Sequence, residues 1–153
     1  MKIEWKKLVP CLILPLAVGG IAAFLTRDGM RLFETVEKPT LSPPGWLFPV
    51  AWTILYLLMG AASYLVLVSE KSGRTALTVY GIQLLVNFFW PVFFFNLEQF
   101  FFAFLWLVLL WVLIWITLIL FYRLQKPAGL LMIPYLLWVT FAGYLNLSIY
   151  LLN

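Results

Sequence analysis

The side chains able to do chemistry in this sequence are aromatic rings and primary amides, set at helical spacing. Tyr80, Gln83, Asn87 and Trp90 recur every three or four residues and continue to Phe94, so a helix would place all five on one face. Tyr135, Trp138, Ala142 and Asn146 repeat the pattern, and Trp52, Tyr56 and Met59 do so a third time. Amides and indole or phenol tips inside a bundle either tie helices together by hydrogen bonds or line a wall for a ligand. Three such stripes turned toward one another would stack on a flat, conjugated or polycyclic molecule. Other chemistries lack their residues. There is no histidine and a single cysteine, Cys11. That removes His/Cys zinc sites, Ser-His-Asp and Cys-His triads, histidine-ligated haem and intrachain disulfides. No metal site is expected, and no cofactor is required.

The elements that must position these stripes follow from composition. Of 153 residues, 65% are hydrophobic and 10% charged, with a mean hydropathy of +1.03, whereas soluble domains carry about 25% charged residues. The chain is a membrane protein with no room for a separate soluble domain. Apolar runs at residues 8–25, 46–68, 76–95, 100–122 and 128–152, each bounded by charged or turn-forming residues, read as spanning helices. A membrane β-barrel would need short alternating segments, but the run from Phe100 to Trp115 is apolar on every face. The predicted fold is therefore an all-α membrane protein, a five-transmembrane-helix bundle forming one domain over 1–153. Lys2, Lys6 and Lys7 before the first run also suit a secretory leader, but the run is too long for one. Pro10 and Pro15 are tolerable in a span whose neighbours satisfy the freed backbone groups. Pro134 predicts a kink near the start of the fifth span.

Charge placement sets the orientation and narrows the function. Lys2, Lys6, Lys7, Lys71, Arg74, Arg123 and Lys126 fall on one side, and Arg27, Arg31 and Lys38 on the other. In an inner or plasma membrane this puts the N-terminus in the cytoplasm. Every Asp, Glu, Lys and Arg falls at or beyond a span end, which disfavours ion translocation, and no basic face suits a nucleic acid. The connection over 26–43 is long and of mixed charge, either a solvated loop or a lid over a cavity opening to that side. Gly19 and Ala23 have the small-xxx-small spacing of a helix contact, a candidate for dimerisation.

The stretch KPTLSPPGWLFPVAWTILYLLMG from Lys38 to Gly60 closely resembles the tryptophan-rich sensory protein (TspO) family, also called translocator protein or peripheral-type benzodiazepine receptor. The match continues through Gln83, Asn87, Trp90, Pro91 and Phe94-Phe95, then Pro134 to Trp138, Phe141-Ala142, Leu145-Asn146 and Asn153. The resemblance implies a five-helix bundle, commonly a homodimer, with a pocket beneath the first loop for tetrapyrroles, sterols and synthetic benzodiazepine-type ligands. Carried over by position, the ligand-binding residues are Trp52, Tyr56, Asn87, Trp90, Phe94, Trp138, Ala142 and Leu145. It also implies an alternative activity, light-driven oxidative breakdown of protoporphyrin, for which Trp52 and Trp138 are the candidate electron-transfer residues.

Within that frame the chemistry favours a free-base porphyrin over haem, because stacking on indole and phenol rings needs no axial ligand. Porphyrin propionates would sit at the polar end of the pocket, within reach of Arg27, Arg31 or Lys38. The sequence departs from the family pattern at Leu41 and at Leu32-Phe33, where aromatics are usual, which thins the lining expected from the first loop. Tyr144 is followed by no basic residue, so the sterol-recognition motif of animal members is missing.

Overall fold

In lipid every backbone N–H and C=O must be paired within the protein, so apolar segments of span length fold as helices. The computed structural model describes residues 2–153 and contains α1 (Trp5–Leu25), α2 (Arg27–Phe33), α3 (Leu47–Leu67) and α4 (Arg74–Pro91), which runs on into a π-helical turn (Val92–Asn96). Then follow α5 (Phe100–Leu124), α6 (Lys126–Leu131) and α7 (Ile133–Leu152), with no strand among the described residues. Five segments are long and apolar enough to span a membrane, with α4 and its π turn counted as one and α6 with α7 as another. The 21 residues of α3 rise about 31 Å, the thickness of a bilayer's hydrocarbon core.

The spans form a closed ring in the order first, second, fifth, fourth, third. α1 packs on α3, α3 on α6 and the start of α7, α7 on α5, α5 on α4, and α4 returns to α1. The inward side chains include Met59, Ala62, Leu110, Ile114, Phe121, Met132 and Tyr135. On α5 the buried set Ala103, Leu107, Leu110, Ile114, Thr117 and Phe121 keeps helical spacing, while Phe101, Leu105, Val108 and Val112 are exposed on its outer wall. A Cβ on Gly60 would stand 2.6 Å from the Cys11 carbonyl oxygen, so the absence of a side chain there lets α1 and α3 cross closely. Gly19 is likewise used within the chain. A Cβ there would enter the Tyr56 ring, so this position packs on α3, and Ala23 is exposed.

Three details differ from the sequence reading. The first span begins at Trp5, one turn earlier than residue 8. The fifth breaks at Met132, with Pro134 in the first turn of α7, where its missing N–H costs nothing. The stretch 26–43 is not all loop, because it contains α2. A helix of seven residues is unstable alone, and tertiary contacts hold this one. The Asn96 amide donates to the Leu25 carbonyl at 3.0 Å, Thr26 is buried and bonds the Ala22 carbonyl at 2.8 Å, and Gly29 lies on the Phe95 carbonyl.

Candidate functional site

The three stripes read from the sequence face one another, and Tyr56, Asn87, Tyr135, Gln83 and Met59 form one directed chain across them, to which Tyr80, whose buried hydroxyl has no partner among the described residues, does not belong. Tyr56 on α3 donates its hydroxyl hydrogen to Asn87 Oδ1 on α4 at 2.9 Å. Asn87 Nδ2 donates to the Tyr135 hydroxyl on α7 at 2.8 Å, and that hydroxyl donates to Gln83 Oε1 at 2.7 Å. Gln83 Nε2 points on to Met59 Sδ at 3.9 Å, a weak acceptor. Asn87, Tyr135 and Gln83 each accept from one neighbour and donate to the next, Tyr56 begins the chain as donor and Met59 ends it as acceptor, and all are buried. Such chains polarise cooperatively in a low dielectric.

Aromatic rings surround this chain. Trp52 stacks on Tyr56 with centroids 5.5 Å apart and meets Tyr135 edge-on at 6.1 Å. One turn beyond Asn87 on α4, Trp90 stacks on Phe94 at 5.0 Å and donates its indole N–H to Asn146 Oδ1 at 3.0 Å. Asn146 Nδ2 in turn donates to the Phe100 carbonyl at 2.8 Å, joining α4, α7 and the start of α5. Ala142 and Leu145 are buried on α7. Trp138 stands apart from Trp52, meeting Phe48 at 5.9 Å and Phe141 at 5.8 Å. Its indole N–H is buried without a partner among the described residues.

The cover contributes more than the sequence implied. Phe33, at the end of α2, packs on Phe94 at 5.4 Å and edge-on to Phe95 at 5.3 Å, so it supplies an aromatic contact where the lining was expected to thin. Leu32 and Leu41 are exposed and add nothing inside. The π turn after Pro91 presents Phe94 and Phe95 to the cover and Phe93 to Phe102 and Trp106 of α5. The interior rings touch one another, and the space enclosed under α2 by Gly29, Phe33, Val36, Phe94, Phe95 and Phe100 is about 10 Å³. A larger depression of about 230 Å³ lies between α5 and α7, floored by Leu107, Val139 and Gly143, with exposed Val108, Trp111 and Tyr144 at its edges.

Thus Trp52, Tyr56 and Asn87 meet in one cluster, Trp90 and Phe94 in an adjoining one, and Trp138 beside Phe48. Tyr135, Gln83, Asn146, Phe48 and Phe33 complete these clusters but were not among the predicted ligand-binding residues. The first three already stood on the recognised stripes, and that was the signal for them. No group of three or more His, Cys, Asp or Glu able to hold a metal occurs among the described residues.

A ring of five apolar spans around a tryptophan, tyrosine and amide interior, closed by a short helix, defines an integral multi-pass membrane protein. The chain belongs to the TspO/MBR family, whose sequence pattern matches residues 11–152. It is 40% identical over 147 residues to the tryptophan-rich protein TspO of Chlorobaculum tepidum, covering 94% of this chain and 93% of that protein. It is 35% identical over 153 residues to the tryptophan-rich sensory protein of Cereibacter sphaeroides, covering 100% and 95%. Similarity extends to the translocator protein of Bos taurus, 33% identical over 147 residues, covering 93% and 87%.

Proposed function

We propose that this protein is a membrane receptor, sensor or carrier that encloses free-base porphyrins and related flat hydrophobic molecules among the α3, α4 and α7 stripes beneath α2. One observation carries the reading. The hydroxyls and amides of Tyr56, Asn87, Tyr135 and Gln83 are bonded to one another, so that a flat molecule entering between the stripes would meet the rings of Trp52, Tyr56, Tyr135, Trp90 and Phe94, which now pack on each other. Family membership supports it, since relatives bear the names sensory protein and translocator protein. Because the rings now touch, entry of a porphyrin entails outward movement of α2 and withdrawal of Phe33, a shift between closed and open states. Arg27 and Arg31 on α2, and Lys38 just beyond it, supply cations for the propionates at the polar rim.

Titration of the detergent-solubilised protein with protoporphyrin in the dark, followed by tryptophan quenching, tests the reading. Saturable quenching that disappears in Trp138→Ala is expected; quenching that never saturates refutes enclosure. The triple replacement Arg27→Gln, Arg31→Gln, Lys38→Gln should weaken binding about tenfold, on the order of 1.4 kcal/mol. Unchanged affinity would remove the propionate pairing. A second reading, light-driven oxidative degradation of protoporphyrin, is favoured by the Trp52–Tyr56 stack, which places a phenol against an indole. Porphyrin absorbance that decays under light faster than in protein-free detergent, and only when Trp52 and Trp138 are present, would put that reading first. The homodimer implied by the resemblance belongs to the same proposal, with a contact other than Gly19, and native mass spectrometry in detergent reads it directly.

A further inference from the structure

The segment that covers the interior is fastened unevenly. At its start α2 is held by the Asn96 bond to Leu25, by the contact of Gly29 with the Phe95 carbonyl, and by Phe33 on Phe94 and Phe95. At its far end, residues 39–46 hydrogen-bond only locally among the described residues, Ser42 N–H to the Pro39 carbonyl at 3.0 Å and Leu47 N–H to the Pro44 carbonyl at 3.1 Å. Leu41 and Trp46 are 69% and 67% exposed. Between these ends Val36 packs on the Phe94, Ala103 and Ile149 cluster, and among the described residues the hydrogen bonds to the spans come from Asn153. The Glu37 N–H donates to Asn153 Oδ1 at 3.2 Å, and Asn153 Nδ2 donates back to the Glu37 carbonyl at 3.0 Å. The second Asn153 amide hydrogen goes to the Ile149 carbonyl on its own helix at 2.8 Å, which fixes the orientation of the amide.

We infer that Asn153 is a latch on this cover, setting how fast a ligand enters and leaves the interior but not how tightly it is held, a role that rests on the receptor or carrier reading above. The latch reaches the interior through a short rigid path. Lys38 Nζ braces the carbonyls of Glu34 and Val36, both at 3.4 Å, and lies over the Phe33 ring at 4.7 Å. Residues 34–38 therefore move with Phe33. Releasing Glu37 from Asn153 leaves residues 34–38 held by the apolar packing of Phe33 and Val36 on the Phe94 cluster, while the start of α2 keeps its contacts with the π turn. In this proposal the cover swings out to let a ligand pass and closes again over it, remaking the latch, so loss of the latch raises the open fraction of both forms by the same factor. Association and dissociation then quicken together while their ratio holds. A residue of the binding wall would change that ratio.

The test uses the full chain in detergent with protoporphyrin in the dark, and stopped-flow tryptophan quenching for both rates. Asn153→Ala, and Asn153→Asp, which keeps an acceptor but loses both donors, should raise association and dissociation rates about tenfold, with Kd within about twofold. A ligand-free readout accompanies it: spin labels on Leu41→Cys and Leu151→Cys, in a Cys11→Ser background. One narrow distance is expected with Asn153 present, and a longer, broader distribution with Asn153→Ala. Unchanged distances and rates, or a weakened Kd without faster association, would overturn the latch. If the distances broaden but no form of the protein binds porphyrin, the ligand reading fails and the cover is still latched by Asn153. Should Asn153→Ala not fold, Glu37→Pro removes the N–H from the other partner and is held to the same outcomes.

Discussion

Asn87 is the residue on which the interior depends, since one amide accepts from Tyr56 and donates to Tyr135. Its replacement by leucine keeps the volume roughly constant but leaves the buried Tyr56 hydroxyl without its acceptor and removes one of the two bonds at Tyr135, which keeps Gln83. An orphaned buried hydroxyl costs about 1–3 kcal/mol, and interhelical bonds in membranes are worth about 0.6 kcal/mol on average. Asn87→Leu should therefore lose about 2 kcal/mol, read as an earlier midpoint in denaturing-detergent titration; an unchanged midpoint would mean the Tyr56 hydroxyl finds another acceptor. The period of 3.6 made the stripe itself legible, because polar and aromatic groups recurring on one face of an apolar span have few places to go but inward. Which partner each would find was not legible. Tyr135 was passed over in favour of Trp138, yet it is Tyr135 that closes the chain to Gln83, because that pairing depends on the relative depth of α4 and α7. The pair Leu32-Phe33 reads in the sequence as a thinning of the aromatic lining, whereas the Phe33 ring reaches both Phe94 and Phe95.

Among the elements, the long spans announced themselves by hydropathy and α2 did not. Its seven residues mix charges with a glycine and carry no strong apolar stripe, and the features that stabilise it lie some 60 or more residues away in the π turn. Gly29→Ala tests that dependence. The added Cβ would stand 2.6 Å from the Phe95 carbonyl oxygen, so α2 should lift and its backbone amides should exchange with deuterium at least about tenfold faster, while those of α3 and α5 hold. The turn into α5 offers the opposite case. Glu98 adopts a φ of 50°, a left-handed conformation that costs a side-chain-bearing residue about 1–2 kcal/mol. Glu98→Gly relieves this at the expense of backbone entropy, for a net gain of about 0.5–1 kcal/mol on the same denaturing-detergent scale. A loss of stability would show that the Glu98 side chain matters more than its backbone.

Over the whole molecule, charge is divided between the two ends of the ring. The end with Lys2, Lys6, Lys7, Lys71, Arg74, Arg123 and Lys126 carries the acids Glu4 and Glu70, whereas Arg27, Arg31 and Lys38 share theirs with Asp28, Glu34, Glu37 and Glu98. Packing keeps the first set together, with the Glu4 N–H on the Tyr64 hydroxyl at 2.9 Å and Gly73 beside Leu124. With the N-terminus on the cytoplasmic side of an inner or plasma membrane, an impermeant maleimide added to intact cells should label Leu41→Cys and spare Ser72→Cys, both in a Cys11→Ser background. The reverse pattern would invert the topology. The ring order was beyond the sequence, since chain neighbours usually pack side by side, whereas here the second and third spans, consecutive in the chain, are not neighbours in the ring. That order bears on how the protein is made. In chain order Gln83 and Asn87 are made before Tyr135, so Asn87 can meet Tyr56 at once while its donor side and the Gln83 carbonyl oxygen wait for the fifth span. The interior is completed only when the fifth span inserts, and chains arrested before Tyr135 should be preferred substrates for membrane quality-control proteases.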